Sequence, residues 1–278
     1  MTRILATSAS GANGDGYGAV LSFTADGTLT GKFSQDPRIT DPRGLCLEPS
    51  GELVYLNSGD DRVLALDRHG KVALDSGRID GLDPGGGTFG PDGRYYAGLR
   101  RRRTVLALPV RLDREGEPVL PDGIVPFPRG FGFGPGGELY LASGVGPSGA
   151  GENTIAVFGQ GGILRTPRLV DDPELSPLDL TIALNGNIIV SSEWPYDSPR
   201  AKATVREYDP VTGRLVRVFA PDPAVGFARP RGLRFGPDRH LYCVGQDHIV
   251  CFDFSTGSFV GVVAHLERLN GQALVLLP

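Results

Sequence analysis

The segment Pro42-Arg43-Gly44-Leu45-Cys46-Leu47-Glu48-Pro49, running on into Ser50-Gly51-Glu52-Leu53-Val54-Tyr55-Leu56, returns along the chain, and no other feature restricts the fold as strongly. Each copy reads as a short apolar strand, a Pro/Gly turn and a second strand. Pro128-Arg129-Gly130-Phe131 through Pro135-Gly136-Gly137-Glu138-Leu139-Tyr140-Leu141 repeats it closely, as does Pro230-Arg231-Gly232-Leu233 through Pro237-Asp238-Arg239-His240-Leu241-Tyr242. Weaker copies open at Pro84 and Pro177. The starts at 42, 84, 128, 177 and 230 lie 42, 44, 49 and 53 residues apart. Every copy continues into a third strand and usually a fourth, as in Arg62 to Asp67, a turn at Arg68-His69-Gly70, and Lys71 to Leu74. Four short strands in each repeat of about 40 to 50 residues predict an all-β fold, a β-propeller.

The two ends supply a sixth blade. Gly271-Gln272-Ala273-Leu274-Val275-Leu276-Leu277-Pro278 matches the first strand of the repeat, and Arg3-Ile4-Leu5-Ala6-Thr7 reads as a second strand lacking its first. The C-terminal strand is therefore expected to complete the N-terminal blade, closing the ring and removing the free sheet edge of an open array. A single domain over 1–278 follows.

Composition fits this reading. With 41 Gly and 23 Pro in 278 residues the chain is turn-rich, and 40% hydrophobic residues leave ample core material. No run of 18 apolar residues occurs, and Met1 to Ser10 lacks a secretory apolar region, so a soluble, cytoplasmic monomer without membrane contact is expected. A net charge of -4 and a pI near 5.6 argue against a protein that seeks nucleic acid over its whole surface. Cys46, Cys243 and Cys251 form no CxxC pair. A two-residue turn at Gln246-Asp247 pairs 243 with 250, which puts Cys251 on the opposite face and disfavours a bridge between them.

The repeat, written Pro-x-Gly-apolar-x-apolar-x-Pro-x-Gly-x-Leu-Tyr, resembles that of six-bladed propellers of the NHL-repeat and gluconolactonase (senescence-marker-protein) type over essentially the full chain. The resemblance implies the six-bladed fold more firmly than any reaction. That group includes lactone hydrolases, lyases, strictosidine-synthase-like condensing enzymes and non-catalytic binding modules.

In such a ring the first strand of each blade lines the central channel, and its start shares a face with the loops joining second and third strands. Three of those loops are long: 10–17, 143–153 and 192–203. The residue after the opening Pro of each copy is Arg43, Gly85, Arg129, Leu178, Arg231 and, in the closing strand, Gln272. Arginine on every second blade places three guanidinium groups about 120° apart around the axis, and their repulsion calls for something negative between them. Asp179, Glu193, Glu152, Asp60 and Asp61 are internal candidates. A bound carboxylate, phosphate or sulfate is the other. In gluconolactonase-like proteins the resemblance implies a divalent metal held by Asn or Asp at this same position. Arginines there would repel a cation, so no metal and no cofactor is expected, with Asp179 the one residue that could reopen a metal site.

Ser191-Ser192-Glu193-Trp194-Pro195-Tyr196-Asp197 holds the sole Trp and offers a general base, Glu193, beside an aromatic wall of Trp194 and Tyr196. Arg100-Arg101-Arg102-Arg103 reads as a solvated turn or an electrostatic funnel. Asn13-Gly14-Asp15-Gly16 is a glycine-rich turn without the register of a calcium loop. Four histidines, two of them in turns, give no support to a metal site or a Ser/His/Asp triad.

Together these point to a channel-mouth site for a small polar or anionic molecule, worked by a metal-independent hydrolase or lyase. Arg129 and Arg231 would hold an oxyanion with Glu193 as base, and Arg43, Asp179, Trp194, Tyr196 and Gln272 would contact the substrate. The alternatives are a protein- or RNA-binding module edged by the arginine quadruplet, and a metal-dependent lactonase.

Overall fold

The computed structural model describes residues 2–10, 16–144, 153–196, 198 and 200–278. Its strands are β1 (Arg3–Ser8), β2 (Ala19–Thr24) and β3 (Leu29–Lys32); β4 (Leu45–Leu47), β5 (Val54–Ser58), β6 (Arg62–Leu66) and β7 (Val72–Arg78); and β8 (Pro84–Phe89), β9 (Tyr95–Leu99), β10 (Thr104–Leu108) and β11 (Glu117–Pro118). The second half continues with β12 (Pro128–Phe133), β13 (Leu139–Ser143), β14 (Thr154–Phe158) and β15 (Leu164–Thr166), then β16 (Pro177–Ile182), β17 (Ile188–Trp194), β18 (Lys202–Tyr208) and β19 (Leu215–Phe219). It ends with β20 (Leu233–Phe235), β21 (Leu241–Val244), β22 (His248–Phe252), β23 (Phe259–His265) and β24 (Gly271–Leu277). They form six four-stranded antiparallel sheets, and β24 is the innermost strand of the sheet that carries β1, β2 and β3. The expected closure is present: β24 runs antiparallel to β1 with Arg3 opposite Leu277 and Ala6 opposite Leu274.

First strands touch in the order β4, β8, β12, β16, β20, β24 and back to β4, which makes the ring. Between each pair of neighbouring blades lies one apolar cluster. Because strand side chains alternate, each blade feeds two of them. Val63 and Ala65 pack toward β9 and β10, whereas Leu64 and Leu66 pack toward β1, β2 and β24. Ile188 and Val190 join Tyr208 and Ile155 on one side, and Ile189 joins Phe219 and Phe252 on the other. Both faces of each sheet are therefore buried, which is why the central strands read as continuous apolar runs.

The repeated Pro-x-Gly turn has a simple local cause. Gly51, Gly93, Gly137 and Gly186 all take left-handed φ between 76° and 85°, where a side chain is strained. The blade of β20 to β23 places Arg239 in that slot at φ 65° and keeps the same bond, its N–H donating to the Gly236 carbonyl at 3.0 Å.

Cys243 lies opposite Val250 and Cys251 opposite Tyr242, on the two faces the sequence predicts. All three cysteines are unbridged and buried, and burial pushes the Cys251 thiol up to about 11. Among the described residues no helix is long and apolar enough to cross a membrane.

The segment joining β3 to β4 is pinned by charge. Arg38 donates from Nε and Nη2 to Asp36 at 2.9 and 2.7 Å and from Nη1 to Asp75 at 3.1 Å. The Arg38 hydrogen bonds hold the Asp36 carboxyl down at about 2. A depressed folded-state value means that this contribution is complete above the ordinary 3.8 and is lost as pH falls toward about 2. Melting temperatures measured across that window are expected to fall more steeply for the wild type than for Asp36→Asn. Parallel curves would refute the assignment.

Candidate functional site

The starts of the first strands open into a cavity of about 440 Å³ at one end of the channel. Arg43, Arg129 and Arg231 all line it, with Leu178, Asp179, Tyr196 and Gln272. Three further arginines join them: Arg100, Arg229 and Arg234.

Backbone geometry sets the arginines at equivalent heights. Arg43 N–H donates to the Asn57 carbonyl at 2.8 Å, and Arg231 N–H to the Val244 carbonyl at 2.7 Å. Adjacent first strands come so close that a Cβ at Gly130 would lie 2.6 Å from the Asp179 backbone, so glycine after the arginine is a packing requirement.

Each cation is held differently. Arg43 donates to Asp41 and to the Gln272 side chain, both at 3.1 Å, while its buried Nε has no hydrogen-bond partner. Arg100 donates from Nε to the Asp83 carbonyl and from Nη2 to the Asp83 carboxylate, each at 2.9 Å. The Arg129 guanidinium lies against the Phe127 ring at 4.6 Å and the Tyr196 ring at 5.2 Å. Arg231 donates to the Pro230 carbonyl at 3.3 Å and faces Glu193 at 3.7 Å.

Clustering these cations is costly. Burial pushes the guanidinium pKa of Arg100, Arg129 and Arg231 below the ordinary value, and repulsion from Arg43 adds to each; carboxylates and Tyr196 oppose it only in part.

Asp179 sits within the ring. Its Oδ2 accepts from Leu233 N–H at 3.0 Å and from Arg234 at 3.4 Å, and Arg234 reaches across the channel to the Leu45 carbonyl at 2.9 Å. Burial raises the Asp179 carboxyl above its usual range. Because that oxygen is committed to donors and the surrounding side chains are cationic, the residues present do not fit the divalent metal of a gluconolactonase-type centre.

Several expectations need correction. Asp60 and Asp61 do not face the channel arginines; they pair with Arg62 and Arg78. The acid that meets Arg43 is Asp41, two residues upstream. Trp194 is outside the cavity lining and 36% exposed, because along β17 neighbouring side chains point to opposite faces and Glu193 takes the inward one. Glu193 is buried behind Arg231 and does not line the cavity. The aromatic wall is Phe127 with Tyr196. The arginine quadruplet divides: Arg100 turns into the cavity, and Arg102 binds Asp122 at 3.0 Å. Asn13 to Asp15, Glu152 and Asp197 lie outside the described residues.

Sequence reading missed a second ring, the residue just before each opening Pro or its equivalent. Asp83, Phe127, Arg229 and Asn270 occupy it and line the cavity, and Asp41 occupies it beside Arg43. Asp41, Asp83, Arg229 and Asn270 have φ of 40°, 33°, 49° and 43°. Left-handed backbone at non-glycine residues is strained, and such positions concentrate at binding sites. The repeat register carried this signal, one position before the arginines.

The fold and site define a class: a six-bladed β-propeller with an arginine-lined channel mouth. No protein-family model matches the chain, and no curated protein matches it in sequence. Solved structures share the fold. A chain of the nidogen/laminin complex superposes with TM-score 0.76 at 14% identity, covering 100% of this chain and 99% of that one. A gluconolactonase from Xanthomonas campestris gives 0.60 at 16% identity, over 81% and 75%. A catalytically inactive virginiamycin B lyase from Staphylococcus aureus, with quinupristin, gives 0.57 at 17% identity, over 80% and 70%.

Proposed function

We propose that this chain acts as a monomer that binds a small anionic organic molecule at the channel mouth. The observation that carries the reading is the convergence of Arg43, Arg100, Arg129 and Arg231 on one cavity, in which burial and repulsion between cations depress the guanidinium pKa values of Arg100, Arg129 and Arg231. A bound anion relieves both penalties at once. The cavity volume of about 440 Å³ suits a small organic ligand.

Metal-independent hydrolase or lyase chemistry is the enzymatic form of this reading. Arg129 and Arg231 would stabilise charge developing on a carbonyl or enolate oxygen. Glu193 Oε2 is buried without a hydrogen bond, and it is the carboxylate oxygen nearest Arg231 among the described residues. Its place behind Arg231 makes Glu193 first a positioning residue for that guanidinium. The division of the arginine quadruplet favours this reading over an RNA-binding edge. Three unbridged cysteines fit the cytoplasmic setting expected from the sequence.

Calorimetric titration at fixed ionic strength with carboxylates, phosphates and sulfates tests the proposal. Saturable binding is expected, weakened about tenfold or more in Arg129→Ala. Failure of every anion to bind would end it.

A further inference from the structure

We propose that the channel carries a second binding site at its opposite end, a cavity of about 370 Å³ shaped for a small neutral aromatic molecule that bears a hydroxyl group. It is separate from the arginine-lined mouth and does not rest on the anion reading.

The first strands start at the arginines and run down to this cavity. Near their ends stand Leu47, Phe89, Phe133, Ile182, Phe235 and Leu276, one from each blade, and all six line it. Each lays one side on the apolar cluster between its blade and a neighbour, yet each stays only half-buried. Single half-exposed apolar residues are ordinary on a protein surface, but six converging on one concavity form a continuous apolar wall, the mark of a binding surface. Three of the six are phenylalanines, whose ring edges and faces suit an aromatic guest.

One residue deeper, the same strands carry Cys46, Thr88, Gly132, Thr181 and Val275, and in the remaining blade Arg234. Five small side chains leave room at that level, and Arg234 crosses it to form a floor. Its terminal nitrogens already serve the protein: Nη1 donates to the Leu233 carbonyl at 2.5 Å and to Asp179 at 3.4 Å, and Nη2 donates to the Leu45 carbonyl at 2.9 Å. An anion entering here would give up its water to apolar walls and meet a guanidinium already paired with a carboxylate, so a neutral guest is favoured. Thr88 and Thr181 line the cavity, and their hydroxyls can donate or accept, which matches a hydroxyl on the guest.

2-Naphthol and 2-naphthoate share a bicyclic ring and differ in charge at neutral pH. Titrated calorimetrically into the full chain at matched ionic strength, 2-naphthol is expected to bind saturably, with its affinity unchanged in Arg129→Ala. Thr181→Phe, which fills the cavity with a ring, is expected to weaken it about tenfold or more while leaving the melting temperature near that of the wild type. Thr88→Phe serves as the second filling variant where Thr181→Phe fails to fold. Absence of saturable 2-naphthol binding would overturn the proposal. So would loss of that binding in Arg129→Ala with retention in both filling variants, which would put the ligand at the arginine mouth. Tighter binding of 2-naphthoate than of 2-naphthol in Arg129→Ala would overturn the neutral class. The anion reading is decided separately, by its own titration.

Discussion

Removal of Gly271 to Pro278 is expected to abolish cooperative folding of the whole chain. β24 pairs with β1 along nearly its full length, and Thr7 fastens it further by accepting the Ala273 N–H at 2.9 Å. Its side chains enter two inter-blade clusters: Ala273 and Val275 pack with Leu5, Leu45 and Leu56, and Leu274 packs with Ile4, Val244 and Ile249. Exposing one buried aliphatic side chain costs about 1.5–3 kcal/mol, so these few positions, with the lost ladder, rival the roughly 5–15 kcal/mol that a whole domain has in hand. The truncated chain would also present β1 as a bare edge beside opened apolar surface. Far-ultraviolet circular dichroism through a thermal ramp measures the effect. A cooperative transition within a few degrees of the full-length protein would show that closure contributes little.

Asp172→Ala is the point substitution expected to cost most. The Asp172 carboxylate accepts from Arg206 Nη1 and from the Tyr208 hydroxyl, both at 2.7 Å, at the interface of the β12–β15 and β16–β19 blades. Arg206 and Tyr208 are buried. Burial acts to raise the Asp172 carboxyl, but the Tyr208 hydroxyl, the Glu174 N–H and Arg206 together hold it below its usual value, so the pair is charged and satisfied in the folded state. Removing the carboxylate leaves the buried Tyr208 hydroxyl and Arg206 Nη1 without their acceptor and the buried guanidinium with only the exposed Glu174 as counter-ion, with an expected loss of about 3–5 kcal/mol. Glu174 also pairs with Arg206, at 3.0 Å, but is 57% exposed. Glu174→Ala should therefore cost no more than about 1 kcal/mol. Urea midpoints of the two variants measure the contrast; equal midpoints would contradict this account.

Much of the candidate site was legible because the repeat supplies a register. Once Pro42, Pro128 and Pro230 were aligned, Arg43, Arg129 and Arg231 fell at one height on alternate blades, and the structure brings them to one cavity. Other members were hidden for identifiable reasons. Arg100 follows the end of β9 inside a run of four arginines, and whether it faces water or the channel depends on the path of that turn. Arg234 occupies a strand position that is cysteine, threonine, glycine or valine in the other copies, and only the ring shows that it spans the channel to Leu45. Trp194 and Glu193 adjoin in sequence but part in space, since one residue of strand reverses the side chain.

By itself the sequence determined the number of blades, the turn glycines, the closure by the C-terminal strand and the alternate-blade arginines. All of these are periodic, and periodic features survive in one dimension because each blade repeats the same local backbone. Only the tertiary structure decided which carboxylate meets which guanidinium, that Phe127 and Tyr196 both lie against Arg129, and that Asp179 faces Arg234. Those contacts join residues from different blades, and their distances depend on ring closure and on how closely neighbouring first strands approach, which no spacing along the chain encodes.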